Sequence, residues 1–249
     1  YFSHWMVKMI EKNIDKYRFF IFENKFKLTS YITEYISNKI KTSLNVNDRF
    51  KFCVCGGSTP RAIYEELSNF DLPWQDVDIF LGDERCVDPL SDESNTNMLK
   101  NSLLKNFASK AFFCDVFKNK DLNDDLAKQQ YLKTLKEKLV GNPPIFDLTL
   151  LGLGDDGHTA SLFPYKDFND EDLIITSFGK DLKRISLTPK IISASSEIAF
   201  LVTGASKNLA LKRLIDKNES SRRTPAKYIE SNSKILIFCD SDASNQLAI

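Results

Sequence analysis

The strongest candidate for chemistry in the sequence is a histidine with acidic neighbours. His158, one of 2 histidines in the chain, lies in the glycine-rich segment 152–164, which spells GLGDDGHTASLFP. Asp155 and Asp156 come directly before it. An imidazole held by a carboxylate can take up and release a proton near neutral pH, and it can therefore act as a general base. We predict that His158 is catalytic and that Gly154 and Asp156 bind substrate beside it.

Two other interpretations of this segment stay open. Residues 152–157 match the dinucleotide-binding fingerprint G-x-G-x-x-G, and they follow an apolar run, residues 145–151, that predicts a buried strand. The helix predicted to start at Thr159 is stopped early by Pro164, however, whereas the fingerprint needs a longer helix. In the other interpretation, the histidine only hydrogen-bonds the backbone of a capped turn.

A glycine pair before a predicted helix forms a candidate anion site. Residues 56–60 spell GGSTP and join a predicted strand to that helix. Because Gly56 and Gly57 have no Cβ atoms, backbone N–H groups can approach an anion closely. Ser58 and Thr59 add hydroxyl groups, and the proline suits the first turn of a helix, where the helix dipole is positive. The composition favours an anion site here over an ordinary strand-to-helix turn.

Four charged side chains are further candidates. Asp83 and Arg85 follow the predicted strand 77–82, and polar groups at the carboxyl end of a strand are typical of sites in open α/β sheets. Asp83 could orient a group or receive a proton, and Arg85 could bind a phosphate or carboxylate through two hydrogen bonds. Arg184 is a second candidate anion contact. Lys207 lies in the first turn of a predicted helix, where a cation is unfavourable unless it serves an anion. The alternative is that these residues are solvated or paired with one another.

The pattern of apolar runs predicts the elements that position these residues. Strands alternate with helical segments, and no linker rich in glycine or proline divides them, which is typical of a doubly wound α/β domain. We predict one mostly parallel sheet with helices on both faces, of the Rossmann-like kind. Residues 1–17 are predicted to be an N-terminal extension or junction, and residues 18–249 a single domain. The predicted strands are 18–22, 50–55, 77–82, 111–116, 145–151, 184–188, 197–203 and 234–239.

Composition limits the classes of partner. The 34 lysines and arginines balance 34 acidic residues without a dense basic run, which argues against a nucleic acid or an anionic membrane as the main partner. The 5 cysteines lie mostly in apolar runs, which predicts buried reduced thiols and a cytoplasmic protein. Cys53 and Cys55 have no second pair to complete a zinc site. We therefore predict no metal and no cofactor, and no run approaches the ~20 apolar residues of a membrane span.

The candidate motifs occur in a specific order. They are Gly56 to Pro60, Asp83 to Arg85, Ser94-Asn95, Gly152 to Pro164, Arg184 to Thr188, Gly204 with Lys207, and Pro225-Ala226. The set resembles the glucosamine-6-phosphate isomerase/6-phosphogluconolactonase family, and the resemblance to its lactonases covers roughly residues 25–249. It implies a fold like those of glucosamine-6-phosphate deaminase and ribose-5-phosphate isomerase. It also implies hydrolysis of 6-phosphoglucono-δ-lactone in the oxidative pentose phosphate pathway.

The resemblance also implies roles for the candidate residues. His158 falls on the histidine proposed to activate water for attack on the lactone carbonyl, and Asp83 would orient or assist it. Backbone donors around residues 152–154 would stabilise the oxyanion. The implied phosphate contacts are Gly57, Ser58, Thr59, Arg85, Arg184 and Lys207. The implied partner is a small sugar-phosphate lactone. Because family members also occur fused to glucose-6-phosphate dehydrogenase, fusion or association with that enzyme stays open.

Two alternative functions remain. The first is a sugar-phosphate deaminase-isomerase of the same fold, whose members usually have Asp-Glu-Tyr at the strand end and Phe-Asn-Glu-Pro after the histidine. This chain has Arg85 at the first place and the sequence Ser-Leu-Phe-Pro, residues 161–164, at the second. The glutamate that would support ring opening is therefore missing, which disfavours deamination. The second alternative is a non-enzymatic sugar-phosphate binder, which would need the anion site but not His158.

Overall fold

The computed structural model describes residues 9–117 and 123–247. Its strands are β1 (Met9–Ile14), β2 (Tyr17–Phe22), β3 (Phe50–Val54), β4 (Val77–Leu81), β5 (Asp83–Arg85), β6 (Phe112–Cys114), β7 (Leu148–Gly152), β8 (Ile174–Gly179), β9 (Leu182–Leu187), β10 (Ile198–Val202) and β11 (Ile235–Asp240). Its α-helices are α1 (Lys25–Leu44), α2 (Ser58–Leu67), α3 (Asn95–Ser102), α4 (Asp124–Lys138), α5 (Pro189–Ser193), α6 (Asn208–Ile215) and α7 (Ser241–Ser244).

The larger sheet confirms the predicted α/β fold class. Within the described residues it has 8 strands in the order β1-β2-β11-β10-β7-β3-β4-β6. All neighbouring strands are parallel except the antiparallel pair β1 and β2. The chain runs outward from β3 through β4 to β6, and then returns to place β7, β10 and β11 on the other side. The strand order thus reverses between β3 and β7, and crevices at such switch points are where open α/β sheets bind ligands.

Apolar burial holds this sheet in place. The residues of β10 and β11 are buried throughout, as expected for parallel strands covered on both faces. Helix α1 buries Leu28, Ile32, Ile36 and Ile40, which recur every fourth residue and so share one face of the helix. Asn24 caps this helix by accepting a hydrogen bond from the Lys27 backbone N–H at 3.0 Å. The interior of the domain is therefore rigid, and the loops at the strand ends are the parts free to carry a site.

A second, smaller sheet was not predicted from the sequence. Among the described residues it has 3 strands in the order β5-β9-β8, all antiparallel. The register of β5 and β9 places Asp83 opposite Ser186 and Arg85 opposite Arg184. Strands β8 and β9 form a hairpin whose turn residues, Lys180 and Asp181, have φ values of 51° and 61°, the left-handed conformation typical of a two-residue turn. The predicted strand 184–188 thus belongs to this small sheet.

The expected helix after His158 is wrong. The chain turns instead, because Ala160 has a φ of 47° and the Leu162 N–H donates to the Thr159 carbonyl at 3.0 Å. The Ser161 N–H is held by the Ser186 hydroxyl at 3.1 Å, which ties the turn to the small sheet. Side-chain contacts with the second sheet therefore decide the local conformation, and these contacts have no local sequence signature.

Strand β1 lies inside the segment 1–17 that the sequence suggested as an extension or junction. It pairs with β2 from Met9 opposite Phe22 to Ile14 opposite Tyr17. Its residues are mostly exposed, so it lacks the buried apolar run that identified the other strands. The part of the chain that the structure describes has no helix long and apolar enough to cross a membrane.

Candidate active site

The candidate site is a cavity of about 250 Å³ at the carboxyl ends of β3, β4, β7 and β10. It lies where the strand order reverses, so the fold alone would place a ligand there. Nearly all of the predicted site residues line it: Gly56, Gly57, Ser58, Thr59, Asp83, Arg85, Gly154, His158, Arg184 and Lys207. Asp156 is outside this lining and contacts the histidine ring. Residues far apart in the sequence thus meet at one place.

The Gly56-Gly57 loop needs both of its glycines, for different reasons. A Cβ atom at Gly56 would lie 2.0 Å from Oδ1 of Asn95, so the space is already filled. Gly57 has a φ of 117°, a conformation that other residues rarely adopt, and it is the N-cap of α2. The first N–H groups of a helix lack partners within the helix, which makes this end suited to an anion. The Thr59 hydroxyl lies 2.6 Å from that of Thr203, across the cavity floor.

His158 is paired with Asp156. Its Nδ1 lies 2.5 Å from Oδ1 of Asp156, and its backbone N–H donates to the same oxygen at 3.1 Å. Partial burial acts to raise the pKa of Asp156, but the hydrogen bonds and charge of His158 outweigh it and hold that pKa at about 2. The carboxylate therefore stays charged at neutral pH and favours the tautomer with the proton on Nδ1. The other nitrogen, Nε2, is then the one with a free lone pair.

Gly154 makes room for the imidazole. A Cβ atom at this position would lie 2.0 Å from Nδ1 of His158. The Gly154 N–H donates to the His158 carbonyl at 2.8 Å, and the Gly157 N–H donates to the Gly154 carbonyl at 2.9 Å. Among the backbone donors around residues 152–154, the Gly154 N–H is thus used in this conformation to close the loop around His158.

Asp83 has different partners from those expected of a group that orients His158. Its Oδ2 accepts a hydrogen bond from the Ser161 hydroxyl at 2.5 Å and lies 3.8 Å from Nη1 of Arg184. Its backbone carbonyl accepts from the Asn95 side chain at 2.8 Å. The carboxylate that is hydrogen-bonded to the imidazole in this structure is Asp156. Asp83 instead lies in the cavity wall as the counter-ion of a buried arginine.

Arg85 and Arg184 lie side by side because β5 and β9 pair at that position. Arg184 is only 5% exposed, and burial lowers its pKa while the charge of Asp83 opposes that change. Arg85 donates through Nη1 to the Glu93 carbonyl at 2.5 Å, and its Nε is buried without a hydrogen-bond partner. Both guanidinium groups thus border the cavity with hydrogen-bonding capacity suited to an anion.

Lys207 is a third cationic side chain that lines the cavity. Its Nζ lies 2.5 Å from Oδ1 of Asp155, and the hydrogen bond from this lysine lowers the pKa of Asp155. Lys207 is the N-cap residue of α6, one position before the first turn in which the sequence placed it. Two arginines and one lysine, Arg85, Arg184 and Lys207, therefore line the same cavity.

Sequence reasoning missed Asn95, Lys180 and Thr203, which also line the cavity. Asn95 was named only within the Ser94-Asn95 motif, without a role, and its side chain is turned toward β5. Lys180 is exposed at the turn of the β8–β9 hairpin. A turn made of Lys-Asp lacks the Asn-Gly or Asp-Gly signal that would have predicted the hairpin.

Glu84 fixes β5 against the start of α3. This buried carboxylate accepts hydrogen bonds from the backbone N–H groups of Asn95 at 2.8 Å and Thr96 at 2.7 Å, and from the Ser94 hydroxyl at 3.1 Å. Burial raises its pKa, and the hydrogen bonds oppose the change. An acid at a helix N-terminus is electrostatically favourable. Glu84 thereby holds its neighbours Asp83 and Arg85 in register with the cavity.

The fold and the cavity together define an α/β protein with a histidine–carboxylate pair and a cavity lined by arginine and lysine side chains at the switch point of its sheet. A family model described as glucosamine-6-phosphate isomerases/6-phosphogluconolactonase matches residues 23–238. The chain belongs to this family.

The similar proteins match this chain over most of its length and over most of their own. A 6-phosphogluconolactonase from Nostoc sp. is 33% identical over 219 residues, covering 86% of this chain and 91% of that protein. The structure of a 6-phosphogluconolactonase from Thermotoga maritima is 27% identical with a TM-score of 0.75, covering 89% of this chain and 98% of that one. A monomeric glucosamine-6-phosphate deaminase is 17% identical with a TM-score of 0.72 over 90% of this chain and 98% of its own. The last likeness shows the fold alone.

Proposed function

We propose that this protein is a 6-phosphogluconolactonase, which hydrolyses 6-phospho-D-glucono-1,5-lactone to 6-phosphogluconate. The observation that carries the proposal is the pairing of His158 with Asp156 in a cavity that Arg85, Arg184 and Lys207 also line. Such a site combines a general base with charges for a phosphate. The curated relatives with this name support the same substrate class.

The geometry supports a simple reaction. Nε2 of His158 takes a proton from a water molecule, and the water oxygen attacks the lactone carbonyl carbon to form a tetrahedral oxyanion. The ring C–O bond then breaks, and the imidazolium returns the proton to the leaving ring oxygen. Asp156 stabilises the imidazolium that forms between these steps, as an acid oriented on a catalytic histidine does. Water, proton and leaving group thus balance without a metal or a nucleotide.

In this proposal the substrate phosphate is bound by the glycine loop and the cationic side chains that line the cavity. Gly57, Ser58 and Thr59 offer the start of α2, and Arg85 and Arg184 offer paired guanidinium groups. Lys207 adds a third charge once it exchanges Asp155 for the phosphate. Because this phosphate is remote from the reacting carbonyl, these groups contribute mainly to substrate affinity.

The reaction belongs to the oxidative pentose phosphate pathway, directly after glucose-6-phosphate dehydrogenase. We place it in the cytoplasm, in keeping with cysteines that are mostly buried. Association with, or fusion to, the dehydrogenase would pass its lactone product, which hydrolyses spontaneously, directly to this protein. Co-purification of the two activities from the source cell tests the association, and fractions in which they separate fully would contradict it.

The deaminase alternative shares the fold but lacks part of the chemistry. Deamination of an amino sugar moves protons on the ring oxygen and on two neighbouring carbons, which needs more acid/base groups than lactone hydrolysis. Residues 161–164 hold no glutamate. In the structure Ser161 is bound to Asp83, and Phe163 packs on His158. No acid from this segment therefore reaches the histidine.

One experiment separates the alternatives. Purified protein is given the phosphorylated lactone, and acid release is followed against the spontaneous rate. At the same enzyme concentration, ammonia release from glucosamine-6-phosphate is measured. We expect fast acid release and no ammonia. Ammonia without lactone hydrolysis would favour the deaminase, and binding of 6-phosphogluconate without either activity would favour a non-enzymatic binder.

A further inference from the structure

Phe163 lies between His158 and a second hollow of the molecule. Its side chain is 7% exposed, and its ring centroid is 4.9 Å from that of the imidazole with 36° between the planes. The guanidinium carbon of Arg184 lies 5.4 Å from the same ring centroid. One aromatic ring therefore contacts both the proposed base and one of the proposed anion contacts.

The imidazole is enclosed on several sides. Asp156 holds Nδ1, the backbone at Gly154 leaves no space for a Cβ atom, and Phe163 covers a further part of the ring. Removal of the phenyl group would leave the hydrogen bond to Asp156 and the backbone at Gly154 as restraints, and it would open the side of the ring that Phe163 now covers. The phenyl ring thus supplies a restraint that the carboxylate cannot.

Gly179 allows the phenyl ring to occupy this place. A Cβ atom on Gly179 would lie 2.4, 2.5 and 2.6 Å from Cε2, Cδ2 and Cζ of Phe163. The backbone of Gly179 is outside the left-handed region, and the turn itself is made by Lys180 and Asp181. Close approach to the aromatic ring, rather than the turn, therefore requires the glycine.

On its other side, Phe163 borders open space. It lines a hollow of about 400 Å³ together with Leu162, Phe168 and Phe178, whereas His158 lines the candidate active-site cavity. A well-packed core would hold the ring from all directions, but here the hollow leaves room for it to move. The close backbone at Gly179 is thus a contact that limits this movement.

We propose that Phe163 is a positioning residue for His158, and that the tip of the β8–β9 hairpin holds it there through the close approach of Gly179. The inference rests on the proposed role of His158 as the base. It assigns a catalytic purpose to the small sheet beyond carrying charged side chains. A misplacement of a reacting group by about 1 Å can cost up to about 10²-fold in rate, so modest ring movements are enough to matter.

The test is a double-mutant cycle on the intact protein with Phe163→Leu and Gly179→Ala. We expect each single change to lower kcat for the phosphorylated lactone by about tenfold and to change KM by less than about threefold. Because both act through the same ring, Gly179→Ala should lower kcat by less than about twofold in the Phe163→Leu background. If the two substitutions instead lower kcat independently, so that their fold-changes multiply in the double mutant, the proposal is overturned.

Controls separate positioning from general damage. Phe163→Tyr keeps the ring and should retain kcat within about threefold, while Phe178→Leu changes a neighbouring, 59% exposed aromatic of the same hollow and should leave kcat unaltered. A rise in KM with unchanged kcat in Phe163→Leu would mean that the ring serves Arg184 and would overturn the assignment. Equal loss in Phe178→Leu would overturn it too.

His158→Ala distinguishes failure of this inference from failure of the proposed function. If His158→Ala is inactive and Phe163→Leu keeps native kcat, His158 remains the base and the positioning role of Phe163 is wrong. If His158→Ala keeps native kcat, the proposed base itself is wrong. Circular dichroism of each variant checks that the fold is kept. If Phe163→Leu does not fold, the other two variants decide: the proposal requires that Gly179→Ala lowers kcat and that Phe163→Tyr retains it.

Discussion

The two sheets contribute different chemistry to one cavity. The large parallel sheet provides the glycine loops after β3 and β7, and with them backbone donors and the His158–Asp156 pair. The small antiparallel sheet provides charged side chains, since strand pairing sets Arg85 beside Arg184 and Asp83 at the cavity wall. Loops at a switch point therefore suit proton transfer and the binding of a ligand by backbone N–H groups. Paired strands, in contrast, hold side chains of like charge at a fixed spacing.

Replacement of the base gives the largest expected effect. In His158→Ala we expect kcat to fall by roughly 10²- to 10⁴-fold, the usual contribution of a positioned general base, with a smaller change in KM. Steady-state hydrolysis corrected for the spontaneous reaction measures it. A near-native kcat would mean that the large sheet does not supply the proton transfer, and the two sheets would then not differ in this way.

Arginine-to-lysine changes in the small sheet test its role in binding. Arg85→Lys and Arg184→Lys should each cost about 1.5–3 kcal/mol in kcat/KM, mostly through KM, because a point charge cannot replace a guanidinium with two parallel donors. Arg61→Lys is the matched control, since Arg61 pairs with Glu65 on the surface of α2. A loss confined to kcat would mean that the small sheet takes part in the chemical step.

Glu84→Gln tests how firmly the small sheet is attached. The amide keeps the volume but turns one acceptor into a donor facing the N–H groups of Asn95 and Thr96. We expect the free energy of unfolding to fall by about 1–3 kcal/mol, as for buried groups left unsatisfied. Denaturant unfolding measures it, with the exposed Glu65→Gln as control at less than about 0.5 kcal/mol. An unchanged stability would show that β5 is held by other contacts.

The smallest expected effect concerns the acid limb of stability. The pKa of Asp156 is about 2 in the folded protein, against an ordinary value of 3.8. A lowered pKa stabilises the fold above pH 3.8, and that contribution is lost as the pH falls towards 2. The Asp156→Asn variant lacks this pH-dependent contribution to stability. Unfolding measured from pH 5 to pH 2 should therefore show a steeper decline for the natural protein, and parallel curves would argue against the pairing with His158.

The sequence predicted the parallel sheet and most of the residues that line the cavity because these have local signatures. A buried apolar run followed by glycines identifies β3 and β7, and the lone interior histidine identifies the candidate base. The small sheet escaped prediction because β5 is short and polar and its partners lie far along the chain. The role of Asp156 against Asp83 escaped for a similar reason, since both carboxylates border the site and only three-dimensional distances decide which one meets His158.

The close fit of Gly56 against Asn95 limits how this site could be transplanted. The GGSTP segment resembles a self-contained loop, yet Gly56 is required by the side chain of Asn95 at the start of α3. The amide of Asn95 also donates to the backbone carbonyl of Asp83. If the loop alone is grafted onto another α/β scaffold, Gly56 loses the contact with Asn95 that requires a glycine there. The smallest transferable unit therefore includes β3, the loop, β5 and the first turn of α3.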